Sequence, residues 1–302
     1  MIRYPQASTF FLGYGIESFR KLARFIRTEI SSTTKSGIIL ISDLGMNENS
    51  SLIEICCDIF NHAEQNKWKV TWIDHHPWPK QAVNIFTGHA ELVLDDSGNK
   101  CAAELMHDFL LKDNKIAAKL ADMAHSMDFF TKTEYLTPVA ELIRYYSNFE
   151  DFYERLDKLA RKAAIGILWD IEMQVQYGNY VKIRDHEKEL SISSMKIKNV
   201  DGVKVVFVRS SPYIQNSLFA DELFSSSGAD VVMLYNSKGD VSIRRNNSSI
   251  ACNEIADNLS LGGGHQFAAG ASFSSNPQDT DAVVAELEMA VRASLRIRKS
   301  NT

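Results

Sequence analysis

The sequence predicts an α/β protein: a parallel-sheet domain joined by a helical linker to a smaller α/β domain. Three observations lead there. Two apolar stretches, Ile38-Ile39-Leu40-Ile41-Ser42-Asp43 and Trp68-Lys69-Val70-Thr71-Trp72-Ile73-Asp74, each run into a carboxylate and then into loop residues, as strands of a parallel sheet do at their carboxyl ends. Between them, Asn49 to Gln65 places Leu52, Ile53, Cys56, Ile59 and Phe60 at helical spacing, so the whole reads as a strand-helix-strand unit. At 302 residues the chain has the length of two ordinary domains, each with its own core. The expected boundaries are 1–138 for the first domain, 139–184 for the linker and 185–302 for the second domain.

Taken in order, Ala7 to Leu12 reads as a strand, Gly13-Tyr14-Gly15 as a turn, and Ile16 to Ile30 as a helix with Phe19, Leu22, Phe25 and Ile26 on one face. The strand before Asp43 is wholly apolar and is expected to be covered on both faces. Phe86 to Leu94 is an irregular strand, clearest at Glu91 to Leu94. Asp96 or Ser97 then offers a cap to a helix from Cys101 to Leu111. A further helix from Ile116 to Met127 leads into Asp128-Phe129-Phe130. From Val139 to Met173 the spacing is that of one long connecting helix, with Gln174 to Tyr180 as a loop.

In the second domain, Val203 to Val208 and Ala229 to Tyr235 are strands around a helix from Asn216 to Phe224. A turn at Ser237-Lys238-Gly239-Asp240 opens a hairpin strand, Val241 to Arg245. Helices are expected over 250–259 and 280–296.

Composition narrows the function classes. Hydrophobic residues make up 45% and charged residues 24%, as in an ordinary soluble protein. No apolar run approaches the ~20 residues that span a bilayer, and Met1-Ile2-Arg3-Tyr4-Pro5 is not a secretion signal. A cytoplasmic protein without membrane contact is expected. Four cysteines without paired spacing predict buried free thiols, not a zinc knuckle or a disulfide framework. A net charge of −5 argues against a broad basic surface for duplex DNA. A groove for a few phosphates needs only local basic residues.

Two clusters carry chemistry. Asp74-His75-His76 stands where a strand opens into a loop at Pro77, the sheet edge at which open α/β folds bind ligands. A carboxylate beside two imidazoles offers hard and borderline metal ligands. If the two first strands are parallel neighbours, Asp43 emerges at the same edge, and Asp128 or Asp122 from the later helix could reach it. A polar loop exposing two histidines would have the same composition; the convergence of further carboxylates separates the two cases. The second cluster is Gly262-Gly263-Gly264-His265, followed by Ala268-Ala269-Gly270. Glycines let backbone N–H groups approach an anion closely, and a helix beginning at the small residues would turn its positive end to a phosphate. The plainer reading is a flexible turn.

Asp43, Asp74-His75-His76, Gly262-Gly263-Gly264-His265 and Ala268-Ala269-Gly270, in that order, resemble the DHH phosphoesterase superfamily with its C-terminal DHHA1 domain. That group includes RecJ-like exonucleases, oligoribonucleases and cyclic-dinucleotide phosphodiesterases, and the wording around Asp43 and Asp74 is most similar to archaeal members. The resemblance spans roughly residues 36–275. It implies two divalent cations, manganese or magnesium, that activate a water and offset phosphodiester charge. Asp43, His75 and Asp128 match the metal ligands, with Asp122 as the alternative to Asp128. Asp74 and His76 match the catalytic pair, Asp74 orienting an imidazole and His76 facing phosphate. Ser242-Ile243-Arg244 is similar to the family's serine-x-arginine strand. Arg244, Gly262, Gly263, Gly264 and His265 would therefore hold the nucleotide or terminal phosphate, with Arg245 the weaker candidate. The implied partners are single-stranded RNA or DNA oligonucleotides or nucleotides, and a homodimer is open.

The sequence departs from the family at its start. Family members open with a strand ending in a His-x-x-x-Asp-x-Asp motif, whereas residues 1–36 contain no Asp and no His. The expectation is either an N-terminal segment beyond this sequence or a member with fewer cations and weak or absent turnover. A catalytically degenerate nucleotide- or nucleic-acid-binding protein or a replication-complex scaffold is thus the alternative to a phosphodiesterase or exonuclease.

Overall fold

The structure is a computed structural model that describes residues 1–13, 15–129 and 136–300. Tyr14, in the expected turn, and Phe130, after the expected helix, lie outside the described residues. The chain divides into two compact units, 1–174 and 175–302.

The first unit starts with an extended segment and α1 (Ile16–Ser31), then β1 (Ile38–Ser42), α2 (Ser50–Gln65), β2 (Lys69–Asp74), α3 (Lys80–Phe86) and β3 (Glu91–Leu94). Helices follow: α4 (Ala102–Leu110), α5 (Lys115–Asp128), α6 (Leu136–Tyr146), α7 (Phe152–Ala164) and α8 (Ile171–Ser194), the last running into the second unit. The three strands form a parallel sheet in the order β1-β2-β3. Asn49 caps α2 by accepting from the Ser51 N–H at 3.0 Å, and Asn114 caps α5 through Ile116 and Ala117, as short polar side chains do at free helix donors.

Trp72 is the centre of the core. It is almost fully buried, packs against Phe19, Phe60, Phe86 and Trp78, and donates its indole N–H to the Leu44 carbonyl at 3.0 Å. That bond ties the loop after β1 to β2.

Several expectations are corrected. The apolar β1 is an outer strand with Ile38 half exposed, whereas β2, with its more polar start, is buried from Val70 to Asp74. Place in the sheet, not composition, sets coverage. A cavity of about 940 Å³ runs along β1 between residues 4–12, α1 and Met106.

Residues 7–12 form no strand, because side chains hold them in place of a backbone ladder. Ser8 donates to Glu29, Thr9 to Asp157, and Phe10 and Phe11 stack on Phe25 and Tyr153. The N-terminus of α4 is satisfied by Glu104, which accepts from the Cys101 N–H at 2.8 Å, and not by Asp96 or Ser97. The single helix expected over 139–173 is three, broken at Ser147–Asp151 and again where Gly166 takes φ +85° and Asp170 caps α8 by accepting from Met173 N–H. The expected loop 174–180 is helix: Gly178 costs about 1 kcal/mol there, and Tyr180 is buried with its hydroxyl donating to the Tyr213 carbonyl.

The second unit contains β4 (Lys196–Val200), β5 (Val203–Arg209), α9 (Asn216–Ser227), β6 (Val231–Tyr235), β7 (Asp240–Arg245), α10 (Cys252–Ala256), β8 (Ser260–Gly264), β9 (Ala268–Ser272) and α11 (Thr280–Ser300). The sheet order is β4-β5-β6-β7-β9-β8, with β5 and β6 parallel and the remaining pairs antiparallel. Alternate residues of the central strands serve two cores. Val205, Phe207, Val231 and Met233 pack with α10 and α11, while Val206, Val208, Val232 and Leu234 pack with α9. Burial on both faces explains why β5 and β6 read as continuous apolar runs.

The helix expected at Ala268–Gly270 is instead strand β9. These residues pair with β7 and β8 as the return limb of a hairpin, closed by the His265 N–H donating to the Ala268 carbonyl at 2.8 Å. Phosphate attraction by a helix end at that point is therefore excluded.

Candidate functional site

The parallel pairing of β1 and β2 brings their carboxyl ends level, Ser42 opposite Ile73. Asp43 follows with φ +58°, a left-handed conformation that aspartate tolerates better than most residues, and its N–H donates to the Ile73 carbonyl at 3.1 Å. The next turn is tight. A Cβ on Gly45 would stand 3.0 Å from the His76 Cβ, so glycine lets the β1 loop lie against the histidine pair.

Asp43, His75 and His76 each place a ligand atom within 4.8 Å of the others. His75 Nε2 is 3.3 Å from Asp43 Oδ1 and 3.9 Å from Asp128 Oδ2. Asp128, the last residue of α5, is thus the helix carboxylate that reaches His75; Asp122 lies six residues back on an exposed position. Burial, together with the negative charge of Asp43, pushes the Asp128 carboxyl above the usual carboxylate range, against the pull of His75, His76 and His125.

Asp74 is fully buried, and both its oxygens are engaged. Oδ1 lies 2.9 Å from His76 Nδ1, and Oδ2 accepts from Trp78 Nε1 at 2.7 Å. The imidazole of His76 is thereby held by a carboxylate that a tryptophan holds in turn.

These residues fit a divalent cation. Two donors each ~2.1 Å from one ion stand ~3 Å apart, close to the His75–Asp43 separation. The mutual repulsion of Asp43 and Asp128 is what a cation between them would offset. Asp43 and His75 are close enough to share a single ion, with His76 beside them, and among the described residues this is the one such compact group.

Trp78, Glu104 and His125 escaped the sequence reading. Trp78 sits four residues after Asp74, close enough for a strand-end contact but without a spacing that says so. His125 lies one turn before Asp128 on α5, a helical neighbourhood that could have shown it.

The other predicted residues belong to the second unit. Cross-strand register puts Ser242, Gly263 and Gly270 side by side, and Arg244 opposite Ala268. Arg244 therefore stands between Ala268 of β9 and Val232 of β6, and its Nη1 donates to its neighbour Ile243 O at 3.0 Å. Arg245 is turned to the Ser248 and Ile250 carbonyls. A Cβ on Gly262 would fall 2.0 Å from the Ala256 carbonyl oxygen, and Gly264 holds φ +133°; Gly263 faces open space. The His265 ring stacks on the exposed Phe267, centroids 5.4 Å apart. The four cysteines are free thiols, Cys56, Cys101 and Cys252 buried and Cys57 half-buried. No helix among the described residues is long and apolar enough to cross a membrane.

Among solved structures, an uncharacterized protein from Helicobacter pylori G27 is 18% identical over 93% of this chain and 91% of that one, with a TM-score of 0.41. An exopolyphosphatase-related protein from Bacteroides fragilis is 14% identical over 93% of this chain and 77% of that one, with a TM-score of 0.48. Scores of that size bear no functional weight. No curated protein sequence matches the chain. Residues 215–293, from the start of α9 into α11 and including Arg244 and the glycine hairpin, match the family model of the DHHA1 domain.

Proposed function

We propose that this chain is a divalent-cation-dependent phosphoesterase, using manganese or magnesium to cleave short oligonucleotides or single-stranded nucleic-acid ends. The reading rests on the convergence of Asp43, His75 and Asp128 from β1, β2 and α5, and the DHHA1 match supports it. Asp43 and His75 hold the cation, with Asp128 across from Asp43. When bound, such a cation acidifies a coordinated water and offsets phosphoryl charge. Asp74 fixes the His76 ring so that it meets the substrate phosphate. In the second unit, Arg244 and the backbone of Gly262–Gly264 with His265 bind a nucleotide phosphate, for which a guanidinium fork is suited.

One observation favours a second reading, a nucleotide binder with slow or no turnover: the compact ligand set suits one cation, whereas the resemblance implies two. Manganese-dependent release of mononucleotides from a labelled RNA dinucleotide and from single-stranded DNA separates the two. Hydrolysis that D43N and H75A each reduce at least a hundredfold is the expected result. Nucleotide binding without release in any of several divalent metals would replace it with the binder.

A further inference from the structure

A second carboxylate–imidazole pair stands beside the Asp43–His75–His76 group. His125 precedes Asp128 by three residues on α5, so both side chains rise from one face of the helix. Its Nδ1 lies 2.8 Å from Glu104 Oε2, the oxygen that also accepts from the Cys101 N–H at the start of α4. Glu104 is thereby anchored to backbone, and His125 to Glu104. Burial works to raise the Glu104 carboxyl, yet the Cys101 and His125 contacts hold it below its ordinary value, so it stays a charged acceptor. The His125 ring also packs on Phe129, centroids 4.5 Å apart.

The remaining nitrogen, Nε2, has no partner among the described residues, and the side chain keeps 35% of its surface exposed. A strut between α4 and α5 needs only the Nδ1 contact. An imidazole clamped by a carboxylate at one nitrogen and open at the other is the arrangement that serves a bound group through the second. His125 also lies close enough to act on the Asp128 carboxyl, as His75 and His76 do. Asp43, Asp74 and Asp128 make the floor of the site anionic, so phosphoryl oxygens not taken by a cation need donors at its wall.

We infer that His125, oriented by Glu104 and carrying a proton on each ring nitrogen in the complex, donates from Nε2 to a phosphoryl oxygen of the ester bound at Asp43 and His75. This makes it a further substrate-contacting residue. The inference rests on the phosphoesterase reading for its substrate, but phosphate binding tests it separately.

The experiment uses the full chain loaded with manganese, and the variants H125Q, H125A and E104Q. Manganese affinity is read by electron paramagnetic resonance, inorganic phosphate affinity by calorimetry, and KM and kcat on a dinucleotide. Gln at 125 keeps a donor toward Glu104, so a strut survives in H125Q while the ring's second nitrogen is lost. The expected result is a loss of about tenfold or more in phosphate affinity in H125Q and H125A, as for one lost charged hydrogen bond. A matching rise in KM, with manganese affinity and melting temperature of H125Q unchanged, completes it. E104Q is expected to lie between wild type and H125Q.

Phosphate affinity unchanged in H125Q and H125A overturns the inference and leaves the phosphoesterase reading standing. So does loss of manganese in H125Q, which would make His125 a ligand or a structural post. A wild type that binds manganese and phosphate without hydrolysis overturns the phosphoesterase reading, while the variants' loss of phosphate still supports His125. A wild type that binds no phosphate overturns the inference outright.

Discussion

Asp74 has no exposed surface, and its two oxygens have two different owners, His76 and Trp78. A buried carboxylate deprived of one donor bears the desolvation of that oxygen, about 1–3 kcal/mol. W78F keeps the ring packing against Trp72 and Phe86 but removes the N–H, so it is expected to lower the melting temperature by several degrees while leaving manganese affinity near wild type. A W78F protein that melts with wild type would show that water serves Asp74 instead. The contrast with Asp43 explains which site residues the sequence revealed. Asp43, Asp74, His75 and His76 occupy strand ends, where a continuous apolar run and an alternating one stop abruptly, and that stop is visible in a sequence. Trp78, Glu104 and His125 act through contacts between elements: helical spacing sets His125 beside Asp128, but it records neither the Glu104 partner 21 residues back nor the Asp74 partner of Trp78 four residues back.

At the scale of elements, legibility followed how far local pattern and tertiary demand agree. The strands β2, β5 and β6 and the helices α1, α2, α5 and α9 were legible because each buries the face or faces its pattern shows. The stretch 7–12 and the helix α8 were not, because side-chain anchors decide the first and the burial of Met173 and Tyr180 decides the second. The β8–β9 hairpin shows the limit most clearly. Three glycines read as one phosphate-binding signal, yet they do different things. Gly262 makes room for the Ala256 carbonyl, Gly264 holds a backbone conformation that L side chains rarely adopt and packs against Ala269, and Gly263 meets nothing. G262A and G264A are each expected to destabilise the second unit by about 1–3 kcal/mol through backbone displacement, and G263A by no more than about 0.5 kcal/mol. Denaturant midpoints followed by circular dichroism measure the difference. If all three variants unfold together with wild type, the hairpin relaxes freely and its glycines are there only for a ligand.

Across the whole molecule, each unit has its own core and buried thiols of its own, Cys56 and Cys101 in the first and Cys252 in the second. Burial, reinforced by Cys57, pushes Cys56 from 9.0 up to about 12, and burial pushes Cys252 from 9.0 up to about 11. In the unfolded chain both thiols lose their protons near pH 9. The native state thus binds more protons than the unfolded state between pH 9 and about 11 or 12, and stability falls as pH rises through that window, while below pH 9 these two groups leave it unchanged. A C56A variant is expected to flatten the alkaline part of the first unit's stability curve and leave that of the second unit unchanged, with C252A doing the reverse. The same burial makes each thiol a reporter, because the reactive thiolate is almost absent in the folded state at pH 8. Cys56 is expected to react with a thiol reagent only where denaturant opens the core around Phe60 and Trp72, and Cys252 only where it opens the core around Phe207 and Ile255. Two separate labelling midpoints, located by mass spectrometry, would give the stability of the first unit and of the second unit independently. Rapid labelling of either cysteine in the native protein would mean that its core opens without global unfolding.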